Sequence, residues 1–180
     1  MTLIRVFVSI PVPGSGLDGL MDALRRCDGV KVSPGSQVHI TLRFIGDVDE
    51  KKVPRITDAL KDACAGLDPF EIVVRDVGAF PNQKRPSVVW VGAQPEDVLR
   101  GIADRLSENL RKANVRFDEK PFKSHITIGR CRGPSDLEGF FGEFSGEEFL
   151  RYRCDRVLVM RSVLGPSGAK HTVLDTIMLG

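Results

Sequence analysis

The sequence predicts an α+β fold in two similar lobes, each with an antiparallel sheet flanked by helices, set around a central cleft. Strand-like and helix-like stretches alternate along the chain, but hairpins intervene, which argues against a doubly wound parallel sheet. A tetrapeptide recurs almost unchanged, His39-Ile40-Thr41-Leu42 and His125-Ile126-Thr127-Ile128, 86 residues apart, each time after a strand and a helix. Two similar lobes that each send one strand to a shared cleft are the simplest physical account of that echo. The 180 residues have room for one domain over 1–180 made of two interleaved lobes, and none for a second independent domain.

Leu3 to Ile10 is rich in branched residues and reads as the first strand. A helix follows from about Leu17 to Cys27, with Leu17, Leu20, Met21 and Leu24 on one face. Val30 to Ser33 is weakly strand-like. Val38 to Ile45 is the clearest strand of the first half and is expected to end at the turn-prone Gly46-Asp47. Asp49 opens a helix to Cys64, stopped by Gly66. Phe70–Phe80 and Ser87–Ala93 form a hairpin around a polar loop, Pro81 to Pro86. Pro95 begins a helix to about Asn114, whose Val98, Ile102, Leu106 and Leu110 recur every four residues. Phe122–Cys131 is a strand, Leu137–Phe144 a short helix, and Arg156–Leu164 and Thr172–Leu179 are strands around the turn Gly165-Pro166-Ser167-Gly168.

Composition narrows the class. Hydrophobic content of 42% and charged content of 28% are those of a globular protein, and no apolar run approaches the roughly 20 residues that span a bilayer. The N-terminus reads as a strand instead of a signal peptide, so a cytoplasmic location is expected. Cys27, Cys64, Cys131 and Cys154 are widely spaced and lack metal-ligand spacing, which predicts reduced thiols, Cys27 and Cys64 being packing residues on helices. The net charge of +2 is too small to announce a general nucleic-acid binder, but Lys120 to Arg132 holds four basic residues and no acidic one around the second motif.

The chemistry is concentrated in the echo. Strand side chains alternate between faces, so His39 and Thr41 share one face, roughly 7 Å apart, while Val38, Ile40, Leu42 and Phe44 share the other. His125 and Thr127 repeat the arrangement opposite Ile126 and Ile128. Two imidazoles that titrate near neutral pH can act as a base toward water and an acid toward a leaving oxygen. Threonine hydroxyls can donate to phosphate oxygens as charge builds. Neither motif contains the carboxylates or cysteines of a metal site, so no metal and no cofactor are expected. A single His-x-Thr on a strand is common; two copies on matched strands favour catalysis.

Arg43 falls on the face of His39 and Thr41 in a regular strand, which makes it a candidate phosphate contact. Arg130 falls on the face of Ile126 and Ile128 unless Gly129 marks a bulge that re-aims it. Phe80 and Trp90 are expected to pack in the core, and Lys84 and Arg85 to form a solvated loop tip. Gly14-Ser15-Gly16-Leu17-Asp18-Gly19 matches G-x-G-x-x-G, but Pro11 and Pro13 separate it from the strand and Val30–Ser33 ends without an acidic residue, so it reads as a flexible turn.

These residues resemble the two-histidine (2H) phosphoesterases, and within them the 2′-5′ RNA ligase or RNA 2′,3′-cyclic phosphodiesterase group. The resemblance extends over nearly the whole chain. Besides the paired motifs it includes Ile4-Arg5-Val6-Phe7-Val8, Arg43-Phe44-Ile45-Gly46, Gly78-Ala79-Phe80-Pro81-Asn82, Val89-Trp90-Val91-Gly92 and Gly129-Arg130. It implies a bilobal fold with pseudo-twofold symmetry, a cleft in which a 2′,3′-cyclic phosphate opens to a 2′-phosphate, and His39, Thr41, His125 and Thr127 as catalytic residues. By that analogy His39 is the proton donor to the departing O3′ and His125 the acceptor that activates water; the residues themselves leave the division open. The implied partner is RNA with a 2′,3′-cyclic phosphate end, tRNA halves among them, with 2′-5′ ligation as a related activity and a monomeric protein. The rival expectation is a non-catalytic RNA-binding module of the same fold. Two positions depart from the family pattern. Ser124 stands where relatives often have proline, and His171 stands where a tyrosine is common and is expected to be a surface residue.

Overall fold

The computed structural model describes residues 1–180. Nine strands, β1 (Leu3–Pro11), β2 (Val30–Val32), β3 (His39–Asp49), β4 (Phe70–Pro81), β5 (Pro86–Gln94), β6 (His125–Cys131), β7 (Glu148–Cys154), β8 (Arg156–Gly165) and β9 (Gly168–Met178), form one sheet. Its order is β7-β4-β5-β6-β3-β1-β8-β9, with β2 on β6, and every pairing is antiparallel. The α+β expectation holds, and the two lobes share a continuous sheet. They meet where β3 pairs with β6 at one residue pair, Ile40 with Ile126.

Four α-helices cover the core face: α1 (Asp18–Arg25), α2 (Val53–Ala63), α3 (Glu96–Lys112) and α4 (Glu138–Phe144). They are exchanged between the halves. α1, which follows β1, packs beside β2, the strand carried on β6, whereas α3, which follows β5, packs on α2 and β3. α3 buries Leu99, Ile102, Leu106 and Leu110 completely, so Leu99, not Val98, begins its apolar stripe. Glu96 and Asp97 in its first turn and Arg111 and Lys112 in its last match the helix dipole.

Several boundaries differ from the periodic pattern. β3 runs through Gly46-Asp47 to Asp49, because Gly46 adopts φ +84° and β1 continues to pair with the strand as far as Asp49. β6 begins at His125; Phe122 lies outside the sheet, although its ring is buried. Gly14–Leu17 of the glycine-rich motif is a 3-10 turn leading into α1. β7 has no expected counterpart, since as an edge strand it exposes Glu148, Arg151 and Arg153. No helix is long and apolar enough to cross a membrane.

The core gathers Val6, Val8 and Ile10 of β1, Ile40 and Leu42 of β3, Val89 and Val91 of β5, and Ile126 and Ile128 of β6 with the helix stripes. Ile40 and Ile126 are fully buried at the junction of the lobes. Ile40→Ala or Ile126→Ala is expected to cost about 2–5 kcal/mol of stability, read from the urea midpoint at unchanged slope.

Candidate active site

Because Ile40 and Ile126 are both inward and directly paired, the residues on either side of each face the other side of the sheet. Antiparallel pairing then sets His39 beside Thr127 and Thr41 beside His125. The four residues singled out by the echo are brought together on one surface by a single backbone register, and all four are half-buried.

The two histidines are held in the same way. Nδ1 of His39 donates to the carbonyl of Gln37 at 2.7 Å, and Nδ1 of His125 donates to the carbonyl of Lys123 at 2.7 Å. A carbonyl can only accept, so each neutral ring carries its proton on Nδ1 and leaves Nε2 free as a base. Ser124, between Lys123 and His125, ties that segment to β5 by donating to the Ala93 carbonyl.

Aromatic rings flank both imidazoles. Phe7 stacks on His39 with centroids 5.0 Å apart and planes 29° from parallel. Phe80 meets His125 edge-on at 5.0 Å and tilts against Trp90 at 5.6 Å. Phe80 and Trp90 therefore wall the cleft instead of filling the core. Trp90 lies so close over Gly78 that a Cβ there would stand 2.2 Å from the indole ring. His171 is likewise no isolated surface residue: β8 and β9 bring its ring to 5.5 Å from His39 and 4.9 Å from Phe7.

Desolvation in this setting lowers the pKa of His39 below the ordinary 6.5; the Gln37 carbonyl opposes it, and His171 and His125 add to it through their charge. Desolvation also lowers His125, again opposed by its carbonyl partner and reinforced by the Lys123 ammonium. Lys123 sits with Nζ 5.3 Å from the centre of the Phe80 ring.

The arginines separate in a way simple alternation misses. In β3 the partner of Val8 is Arg43 and the partner of Ser9 is Thr41, so Leu42 is an extra, unpaired residue. In β6 the partner of Val89 is Gly129 and that of Trp90 is Thr127, so Ile128 is extra in the same place. Each motif thus ends in a β-bulge, and each bulge reverses the alternation beyond it. Arg43 is turned inward and 8% exposed: its Nε donates to Ser107 Oγ, its Nη1 donates to the Lys120 carbonyl at 2.7 Å, and Asp104 lies 3.7 Å away. It is not on the face of His39, and its candidacy is withdrawn. Gly129 takes the corresponding inward position, where a Cβ would press on Leu24 and Val30, both at 3.0 Å. Arg130 is therefore turned out, exposed, on the face of His125 and Thr127. The bulge residue is Ile128, one position before the glycine expected to mark it.

Phe7 and the Gln37 carbonyl escaped sequence reasoning, and Lys123 entered it only as one of the four basic residues of Lys120 to Arg132. Phe7 carried a signal as well, standing between the inward Val6 and Val8. No group of three or more His, Cys, Asp or Glu side chains suited to a metal ion occurs in the structure.

Fold and site together define a two-lobed α+β protein with a paired-imidazole cleft. The chain belongs to the 2′-5′ RNA ligase superfamily, whose family model matches residues 13–166. It is 34% identical over 168 residues to an RNA 2′,3′-cyclic phosphodiesterase of Archaeoglobus fulgidus, covering 91% of this chain and 94% of that protein. A protein of the same name from Methanothermobacter thermautotrophicus is 33% identical over 164 residues, 89% of each chain. Among solved structures, a Thermus thermophilus protein aligns with a TM-score of 0.80 at 28% identity over 98% of both chains. E. coli LigT complexed with 3′-AMP aligns at 0.78 over 99% of both, and at 19% identity that likeness speaks for the fold.

In NMR titration both imidazoles are expected to titrate below 6.5. In His171→Ala, loss of the neighbouring charge and ring moves the His39 pKa upward; an unchanged His39 titration would show that His171 exerts no influence.

Proposed function

We propose that this protein is an RNA 2′,3′-cyclic phosphodiesterase that opens a terminal 2′,3′-cyclic phosphate to a 2′-phosphate by acid and base catalysis from its two histidines. The observation that carries this reading is the twin anchoring of Nδ1 to a carbonyl two residues back, which leaves two unencumbered Nε2 atoms on one surface. The names of its relatives support the substrate.

In the proposed reaction Nε2 of His125 takes a proton from water as the water oxygen attacks phosphorus. The P–O3′ bond breaks, and His39, entering as imidazolium, gives its Nε2 proton to O3′. The Thr41 and Thr127 hydroxyls donate to the non-bridging oxygens as negative charge gathers there, and Arg130 supplies a cation. Replacing water by a 5′-hydroxyl in the same step yields a 2′-5′ linkage, so ligation needs no further group. tRNA halves carrying cyclic phosphate ends are suitable substrates in either direction, and a monomer suffices because one chain supplies both histidines.

EDTA-treated protein given RNA ending in a 2′,3′-cyclic phosphate should release the 2′-phosphate product, and His39→Ala or His125→Ala should lower kcat by roughly 10²–10⁴-fold. RNA binding without turnover in the wild-type protein would replace this reading with a binding module. The pH profile carries a sign. kcat/KM rises as the base loses its proton and falls as the acid loses its own; both groups lie below 6.5 in the free protein, so both limbs of the bell should lie on the acid side of 6.5. A profile still rising at pH 8 would overturn the pairing.

A further inference from the structure

The carbonyl that holds His39 belongs to a residue whose side chain makes a second, distant bond. Gln37 ends the 3-10 turn Gly35–Gln37. Its main-chain oxygen accepts from His39 Nδ1 at 2.7 Å, and its side-chain Nε2 donates to the carbonyl of Ala169 at 2.8 Å, 132 residues along the chain. The turn is a firm base for both bonds. The Gln37 N–H donates to the Pro34 carbonyl at 2.9 Å, and Gly14 packs against the turn so closely that a Cβ there would stand 1.9 Å from the Gly35 oxygen.

Ala169 lies in the part of the sheet that most needs a tie. β9 is an edge strand, and β1 pairs with β8 only between Leu158 and Ser162. The end of the β8–β9 hairpin, Val163 and Leu164 with Ala169 and Lys170 opposite them, therefore runs past the body of the sheet. Leu164 there is 72% exposed. A hairpin end with few buried contacts and no strand on its β1 side opens at low cost. The Gln37 amide is the one side-chain group that hydrogen-bonds this end to the rest of the protein. His171 follows directly, paired with Ser162 at the border of the overhang, and its ring lies 5.5 Å from that of His39. The seat of the hairpin thus decides where the third imidazole stands.

The second motif is braced differently. Ser124 donates to the Ala93 carbonyl of β5, a strand held between β4 and β6 in the interior of the sheet. Each anchoring segment is tied by a side chain to a carbonyl of another strand, but only Gln37 reaches the edge. We propose that Gln37 is a positioning residue: its side-chain amide docks the β8–β9 hairpin so that His171 stands against His39, while its main-chain carbonyl holds the His39 ring that His171 faces. The consequence for turnover rests on the function proposed above; the docking does not. The titratable groups whose charge reaches His39 are His171 on β9 and His125 on β6, and the Phe7 ring stacked on it from β1 is neutral. Undocking the hairpin removes the part of His171 and leaves that of His125. The His39 imidazolium then holds its proton more tightly and is a weaker acid toward O3′.

The test uses two variants. Gln37→Met keeps the length and bulk of the side chain and removes the donor, whereas Gln37→Asn keeps the amide and removes the reach. In both, the His39 titration followed by NMR should move upward, and the alkaline limb of kcat/KM should move to higher pH with it, because the acid keeps its proton longer. With cyclic-phosphate RNA, kcat at the optimum should fall about fivefold, roughly what one neutral hydrogen bond is worth, and KM should change little. The deciding comparison is made in the His171→Ala background. There Gln37→Met should add no further change to the His39 titration or to kcat, since both substitutions break the same chain of contacts. A loss of stability with the His39 titration and kcat unaltered would mark a purely structural bond and overturn the proposal. An equal loss of kcat with and without His171 overturns it too, since Gln37 would then act without its hairpin. Absence of wild-type turnover sinks the phosphodiesterase reading, while the His39 titrations of the same variants still decide whether Gln37 docks the hairpin.

Discussion

The pairing of Ile40 with Ile126 is the contact on which the rest of the structure depends. It joins the strands of the two halves into one sheet. Both side chains are fully buried, which fixes the face each strand turns to the helices. A slip of one residue would carry a histidine into the core and an isoleucine into the cleft, exposing apolar surface and burying an imidazole at once. The register is therefore enforced by the hydrophobic effect, and the meeting of His39, Thr41, His125 and Thr127 follows from it. The exchange of α1 and α3 between the halves seals the core behind this junction, so neither half can bury its apolar face without the other.

The bulges at Leu42 and Ile128 are the second constraint. They recur at the same place in both motifs and reverse the alternation after the threonine. Their consequence differs only because the next inward residue differs. Arg43 fills its position with a guanidinium bonded to Ser107 and the Lys120 carbonyl, whereas Gly129 leaves room for Leu24 and Val30. A pseudo-symmetric backbone thus supports an asymmetric surface, with Phe44 on one side and the exposed Arg130 on the other. The surroundings of the imidazoles diverge likewise: His39 lies against Phe7 and His171, and His125 against Phe80 beneath the Lys123 ammonium. Two residues of one type, held by one kind of hydrogen bond, thereby acquire different electrostatic settings, which is the condition for giving them different roles.

The sequence by itself determined what local rules can carry: the α+β class, the apolar stripe of α3, the hairpins, and the outward parity of both His-x-Thr pairs. These follow from the periods of helices and strands and from which side chains water excludes. Alternation holds only until a residue is inserted, so the orientation of Arg43 and Arg130 lay beyond it. Whether a strand gains an extra residue is set by its neighbours β1 and β5, far away along the chain. Tertiary structure alone decided that the two motif strands touch, that His171 and Phe7 surround His39, and that Phe80 and Trp90 wall a cleft. Each of these is a contact between segments distant in sequence, and such contacts arise only when the whole core closes around Ile40 and Ile126.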